Sequence, residues 1–231
     1  MVVLSQPRYF RPDIFFDLTT FAYRDLFDHV RNVWEVLPRL EAYIREHAPA
    51  ENCVRGHVHP GAYLVGEHIL IEEDALIEFD AFIQGPCIIG RGSIVRHGAY
   101  VRSGTLVGAG SLIGHEAETK NALLLPGSRV AQLTFVGDSI LGNRVSLGAG
   151  TKLANWRLDG RTICIHAGGQ LYSSGLDKMG AVIGDDSQLG CNTVCNPGTI
   201  LGPRCRVYPL TSVHGYHPAG TVLRAAWSRI R

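Results

Sequence analysis

Ten histidines and six cysteines are the side chains of this 231-residue chain best suited to proton transfer, metal ligation or nucleophilic attack, because imidazole and thiol change protonation state closest to neutral pH. Their spacing excludes several chemistries. The cysteines at 53, 87, 164, 191, 195 and 205 form no C-x-x-C pair, and free thiols are expected rather than disulfides. Cys53, His57 and His59 lie close together but match no zinc-binding spacing. Cys191 and Cys195 have no base beside them in sequence, which makes them small turn and core residues rather than nucleophiles. His97 and His115 stand eighteen residues apart, an interval whose meaning depends on the element that carries them.

Charge is balanced, with 22 Lys+Arg against 21 Asp+Glu, so neither a nucleic-acid-binding field nor an acidic tail is expected. No apolar run reaches the length of a membrane span. The opening MVVLSQPRYFRPD lacks the charged and apolar regions of a secretion signal, and the cytoplasm is the default expectation. Glycine is the outlier: 27 residues, well above an average share of about 7%, without the three-residue period of collagen.

The glycines belong to a period of six. Val65, Ile71, Ile77, Ile83, Ile89, Val95, Val101, Val107 and Ile113 follow one another at that interval. A second series runs Leu141, Leu147, Leu153, then Ile183, Leu189, Cys195, Leu201, Val207 and Val213. The residue two before each aliphatic is mostly small, as at Ala75, Ala81, Ser93, Ala99 and Thr199. The residue after it is Gly in nine of eighteen cases, which points to unusual backbone angles or close packing. A short strand and a tight turn take six residues, and three such units close a triangular coil of eighteen. The aliphatics then stack inward, and each coil is stabilised by its neighbours. A helix needs apolar residues at i, i+3 and i+4, and a sandwich gives turns every 8–12 residues without fixed phase. Neither fits. On this fold His97, His115 and Gln132 line one edge.

Three segments depart from the period. Residues 1–50 carry Phe21, Leu26, Phe27, Val30, Val33, Trp34, Leu37, Leu40 and Ile44 near helical spacing, with Asp17, Thr19 and Thr20 as caps and Pro38 as an interruption. This helical arm is expected to pack as core and to cover the open end of the solenoid. The β-helix then spans 51–216, its phase slipping between Ile113 and Leu141, with a loop insertion at about 154–180. Residues 217–231 form a C-terminal tail that leaves the pattern.

The stretch Lys120 to Gly160 is the most informative. Its segments AQLTFVGDSILG (131–142), SLGAGT (146–151) and ANWRLDG (154–160) are similar in order and spacing to G-H-L-x-Y-x-G-D-x-x-x-G, N-x-G-A-G-T and an Asn-containing loop. Those motifs mark the acetyltransferase domain of bifunctional glucosamine-1-phosphate acetyltransferase/N-acetylglucosamine-1-phosphate uridylyltransferases. The run SSGLDKMGAVIGDD (173–186) resembles the archaeal branch, and the likeness covers about residues 90–215. It implies a left-handed parallel β-helix of hexapeptide repeats, a homotrimer with sites between subunits, and acetyl-CoA as co-substrate. The nucleotidyltransferase domain of those enzymes has no counterpart in residues 1–50, so a separate nucleotidyltransferase is a candidate partner.

The resemblance also implies a site. The sugar-phosphate-binding Arg and Lys fall on Arg102 and Lys120, and the loop Asn falls on Asn155. A Lys reaching into the neighbouring subunit falls on Arg161. The donor would lie along Ala149, Cys191 and Pro209, with Arg224 near its phosphates. Three positions depart from the pattern: the catalytic His falls on Gln132, a Tyr on Phe135, and a ligand-contacting Asn on Ser146. Glutamine cannot take up a proton at neutral pH, so His115, one coil from Gln132, is the candidate substitute base. Some β-helix trimers instead bind zinc through three His, two of them five residues apart in one coil. His57/His59, His97/His115 and His214/His217 offer no such pair, and no metal is expected. The reading is an acetyltransferase-like protein acting on an amino-sugar phosphate or nucleotide sugar. The alternative is a non-catalytic sugar-binding or assembly protein of the same fold.

Overall fold

A computed structural model describes residues 10–225. Short strands pair in parallel with strands one coil away and build the three faces of a prism. The hexad aliphatics Ile71, Ile77, Ile83, Ile89, Val95 and Val101 form its interior, all fully buried. The small residues two before them sit at the corners. Their hydroxyls cap carbonyls that the turns leave over, as Ser93 Oγ donates to Gly108 O at 2.9 Å and Ser128 Oγ to Gly142 O at 2.8 Å. The glycines after the aliphatics serve close packing. A Cβ on Gly108 would lie 2.7 Å from Pro126 N, and one on Gly114 would lie 2.6 Å from Ala131 C. Left-handed backbone falls elsewhere in the turns, at residues such as Asp74, Asp80 and Asn192.

Two details of the repeat differ from the sequence pattern. In the first coil Leu64, not Val65, pairs with Ile83 and faces the core, while Val65 is exposed. Between Ile113 and Leu141 the coil continues through Thr119, Leu124, Val130 and Val136, all buried. Leu106 pairs with Leu123 and Leu123 with Ile140, so these coils take seventeen residues. The missing residue comes from one corner, where the strands Glu118–Leu124 and Phe135–Leu141 run from the third face straight into the first. Beyond Gly215 the hexads fade but the coil goes on: Tyr216–His217 and Val222–Leu223 pair with the coil below.

The described part of the N-terminal arm, from residue 10, does not cover the open end of the prism. It lies along the first face, whose outward side chains Leu70, Ile88, Leu106, Leu123, Ile140, Val182 and Ile200 share one buried cluster with Phe15, Trp34, Leu37, Leu40 and Ile44. A face that is aliphatic on both sides must be covered, and the arm removes that surface from water. Its helices are short: Pro12–Phe15, two 3₁₀ turns at Arg24–Phe27 and Val33–Arg39, and Leu40–His47. A polar clip fixes it. Asp17 N–H donates to the buried Asp185 carboxylate at 2.8 Å, Asn143 Nδ2 donates to Asp17 O at 2.9 Å, and Asp185 N–H donates to Phe15 O at 3.0 Å. The insertion completes the cover. Its antiparallel hairpin, Cys164–Ala167 with Gln170–Ser173, buries Ile163 and Ile165 in the same cluster, and Phe10 joins it to the arm through Trp34 and Tyr172.

This arrangement sets the cost of truncating the covered face. Leu106 is fully buried, so Leu106→Ala is expected to destabilise by about 2–5 kcal/mol. Leu158→Ala, at a fully exposed loop position, is expected to change stability by less than about 0.5 kcal/mol. Urea unfolding midpoints of the two variants check the contrast.

Candidate active site

The site residues lie along the two edges of the third face. The first edge is the tightened corner. Its two left-handed turn positions are Asn121 and Asp138, both at φ 45°, residue types that tolerate this conformation. The seventeen-residue coil places Asn121, Asp138 and Asn155 on consecutive levels. Asp138 is 5% exposed. Its carboxylate accepts from Asn121 Nδ2 at 2.9 Å and from Asn155 Nδ2, and Lys120 Nζ stands 3.5 Å away. One coil below Lys120, Arg102 pairs with Glu118 at 2.7 Å. Phe135 folds back over this corner: a Cβ on Gly137 would meet the Phe135 ring at 2.6 Å and Asn155 Nδ2 at 2.8 Å.

Arg102, Lys120, Phe135 and Asn155 therefore come together. The cluster also contains Asn121, Asp138 and Glu118, which sequence reasoning missed. A signal was present in the seventeen-residue spacing of Asn121, Asp138 and Asn155. The missed residues change the electrostatics, because each cation already faces a carboxylate. An incoming anion competes with Glu118 and Asp138 rather than meeting two bare charges.

The second edge is a single column. The coil register places His97, His115, Gln132, Ala149, Cys191 and Pro209 on successive levels, as Leu133 N–H to His115 O, Gly150 N–H to Gln132 O, Asn192 N–H to Ala149 O and Leu210 N–H to Cys191 O record. The rings of His97 and His115 stack with centroids 4.0 Å apart and planes 25° from parallel. His115 Nδ1 lies 3.0 Å from the His97 carbonyl oxygen. A carbonyl only accepts, so this contact puts a proton on Nδ1 and leaves Nε2 as the ring nitrogen available to a substrate. Gln132 is exposed one coil above. Five residues separate His115 from Lys120, so the two edges are at most about 17 Å apart at the backbone.

The remaining predicted residues stand apart from this face. Ser146 is on the second face, paired with Arg129 and Gln188. It borders a depression of ≈ 360 Å³ lined also by Gly190, Arg206, Tyr208 and Pro209. Arg224 lies over the Tyr208 ring at 5.2 Å. Arg161 is exposed on the insertion, beside a hollow lined by Arg157, His166 and Asp177. Among the described residues the six cysteines are free, with Cys191 exposed. Burial pushes the Cys87 and Cys195 thiols up to about 12, which removes them as nucleophiles. No group of three or more His, Cys, Asp or Glu among the described residues is arranged to hold a metal. No described helix is long and apolar enough to cross a membrane.

No family model matches the chain. Curated sequences do. A bifunctional sugar-1-phosphate nucleotidylyltransferase/acetyltransferase of Sulfurisphaera tokodaii is 38% identical over 92 residues, 40% of this chain and 23% of that protein. Over that segment the chain is similar to a protein that carries an acetyltransferase activity in its name. A putative uncharacterized acetyltransferase of Escherichia coli K12, YaiX, is 32% identical over 104 residues, 45% of each chain. The match thus spans less than half the length of either relative. Among solved structures, an Arabidopsis UDP-N-acetylglucosamine acyltransferase superposes with TM-score 0.48 at 12% identity, covering 74% of this chain and 70% of that one.

The Asp138 cluster yields a direct test. Asp138→Ala leaves two amides and Lys120 without their partner, and a loss of about 1–3 kcal/mol is expected. Asp138→Asn keeps the shape and should recover part of it in thermal unfolding.

Proposed function

We propose that this chain transfers the acetyl group of acetyl-CoA to the amine of a phosphate-bearing amino sugar held on the third face. The reading is carried by one observation: His115 and Gln132 share a column with Ala149, Cys191 and Pro209, while Arg102, Lys120 and Asn155 stand on the opposite edge of the same face. A sugar phosphate on that face lies between cations on one edge and an imidazole and amide on the other, the side chains reaching inward from both. The acetyltransferase names of the curated relatives support it.

The donor supplies an activated thioester. The chain's residues supply the rest. Arg102 and Lys120 bind the phosphate, Asn155 and Phe135 close over the ring, and His115 Nε2 takes the proton from the amine as it attacks the thioester carbon. The C–S bond breaks, and the proton passes to the departing thiolate. Gln132, in the place of the family's His, offers an amide donor to the developing oxyanion instead of a base. Arg224 serves the donor's phosphates. Ser146 borders the depression beside Pro209 and serves the donor end, while Arg161, out on the insertion, serves a neighbouring copy in a homotrimer. That assembly is supported by the closed first face and by Leu76, Ile94 and Leu112, which leave apolar surface on the second.

A second reading is a non-catalytic binding or assembly protein, working with a separate nucleotidyltransferase. The loss of the family's His and Tyr at Gln132 and Phe135 favours it, as do the carboxylates already paired with both cations. Thermal-shift screening separates the two. Stabilisation by acetyl-CoA is expected, and its absence with every CoA species overturns the transferase reading. Stabilisation by nucleotide sugar alone supports the second. On a demonstrated activity, His115→Ala should lower kcat by about 10²-fold or more, and an unchanged kcat would remove His115 as the base.

A further inference from the structure

The third face carries three aromatic side chains below the acceptor edge that the transferase reading leaves unused. Tyr63, Phe82 and Tyr100 are register partners on successive coils, all pointing outward. Tyr63 and Phe82 stack with centroids 5.9 Å apart and planes 29° from parallel, and Phe82 meets Tyr100 edge-on at 5.3 Å. Tyr63 is 53% exposed and Tyr100 37%. The strip is continuous with the acceptor edge. Tyr100 pairs with Glu118 on the next coil, Arg102 lies 5.7 Å from the Tyr100 ring, and the Tyr100 hydroxyl donates to Gln84 Oε1 at 3.2 Å, which holds the ring in place. At the same levels the outward residues of the first face are covered aliphatics, and those of the second are Leu76 and Ile94.

We propose that this strip is a stacking platform for a nucleobase, so that the acceptor is a nucleoside-diphosphate-linked amino sugar rather than a sugar monophosphate. Two cations one coil apart suit a diphosphate, and Arg102 can meet it through two parallel N–H groups. From the level of Lys120 to that of Phe82 is two coil steps, about 10 Å, the reach of a diphosphate and a ribose. Flat rings stack on any base and do not choose among them, so the platform specifies the nucleotide class and leaves the base open. The sugar end rests on the acetyl-transfer reading. The nucleotide end does not, and it is tested without catalysis.

The experiment is calorimetric titration of the full chain with uridine diphosphate and with inorganic pyrophosphate, with mass in solution followed by light scattering. Uridine diphosphate should bind about 10-fold or more tighter than pyrophosphate. Tyr100→Leu and Phe82→Leu keep apolar bulk and remove the flat ring. Each should cost about 10-fold in uridine diphosphate affinity and leave pyrophosphate binding and mass unchanged, while Phe82→Tyr retains affinity. Equal affinity for the two probes, absence of nucleotide binding, or unaltered binding in the Leu variants overturns the proposal. So does a fall in assembly mass in those variants, which would assign the strip to a contact between copies. Failure of every CoA species to stabilise the protein would sink the transferase reading and leave this result standing.

Discussion

Parallel hydrogen bonding of each coil onto the next is the constraint on which the rest depends. It fixes the distance between levels and converts an interval of seventeen or eighteen residues into a spatial contact. Every functional feature follows from that conversion. His115 lies under Gln132, Lys120 over Arg102, and Tyr100 over Phe82 because the ladder admits no other register. The aliphatic interior enforces it, since a slip of one residue would turn every inward Ile or Val outward and put its outward neighbour into a core shaped for another side chain.

The candidate site arises where this regularity is disturbed. Removing one residue at a single corner, in two successive coils, leaves Asn121 and Asp138 at its left-handed positions and brings their side chains, with Asn155, into one part-buried hydrogen-bonded group. The same corner extrudes the insertion one coil later. The altered corner thus sets a polar and charged group beside a face whose lower coils carry Tyr63, Phe82 and Tyr100.

The prism also has one dedicated inner surface. The arm and the insertion hairpin together close the first face, which leaves the other two faces open to solvent. Asp185 belongs to this closure rather than to catalysis. Burial raises its pKa while N–H groups of Asp17 and Asn143 act in the opposite sense, and it joins the arm to the coil from a position remote from His115 and Lys120.

The coil itself was legible in the residues alone. Period six with small residues at fixed phase admits one architecture, because only stacked coils give every sixth residue the same environment. The edge holding His97, His115 and Gln132 followed from it by arithmetic. The place of the arm did not follow: helical spacing says that a face is buried, not against what. The matching signal lay in Leu70, Ile88, Leu106 and Leu123, aliphatics just before inward aliphatics, and it becomes readable only when the three faces are told apart. The inward turn of Leu64 in place of Val65, the carboxylate partners of Arg102 and Lys120, and the separation of Ser146 and Arg161 from them were decided by tertiary structure. Spacing assigns a residue to a level and a face. Which side chains meet across a corner depends on turn geometry, and one deleted residue changes it.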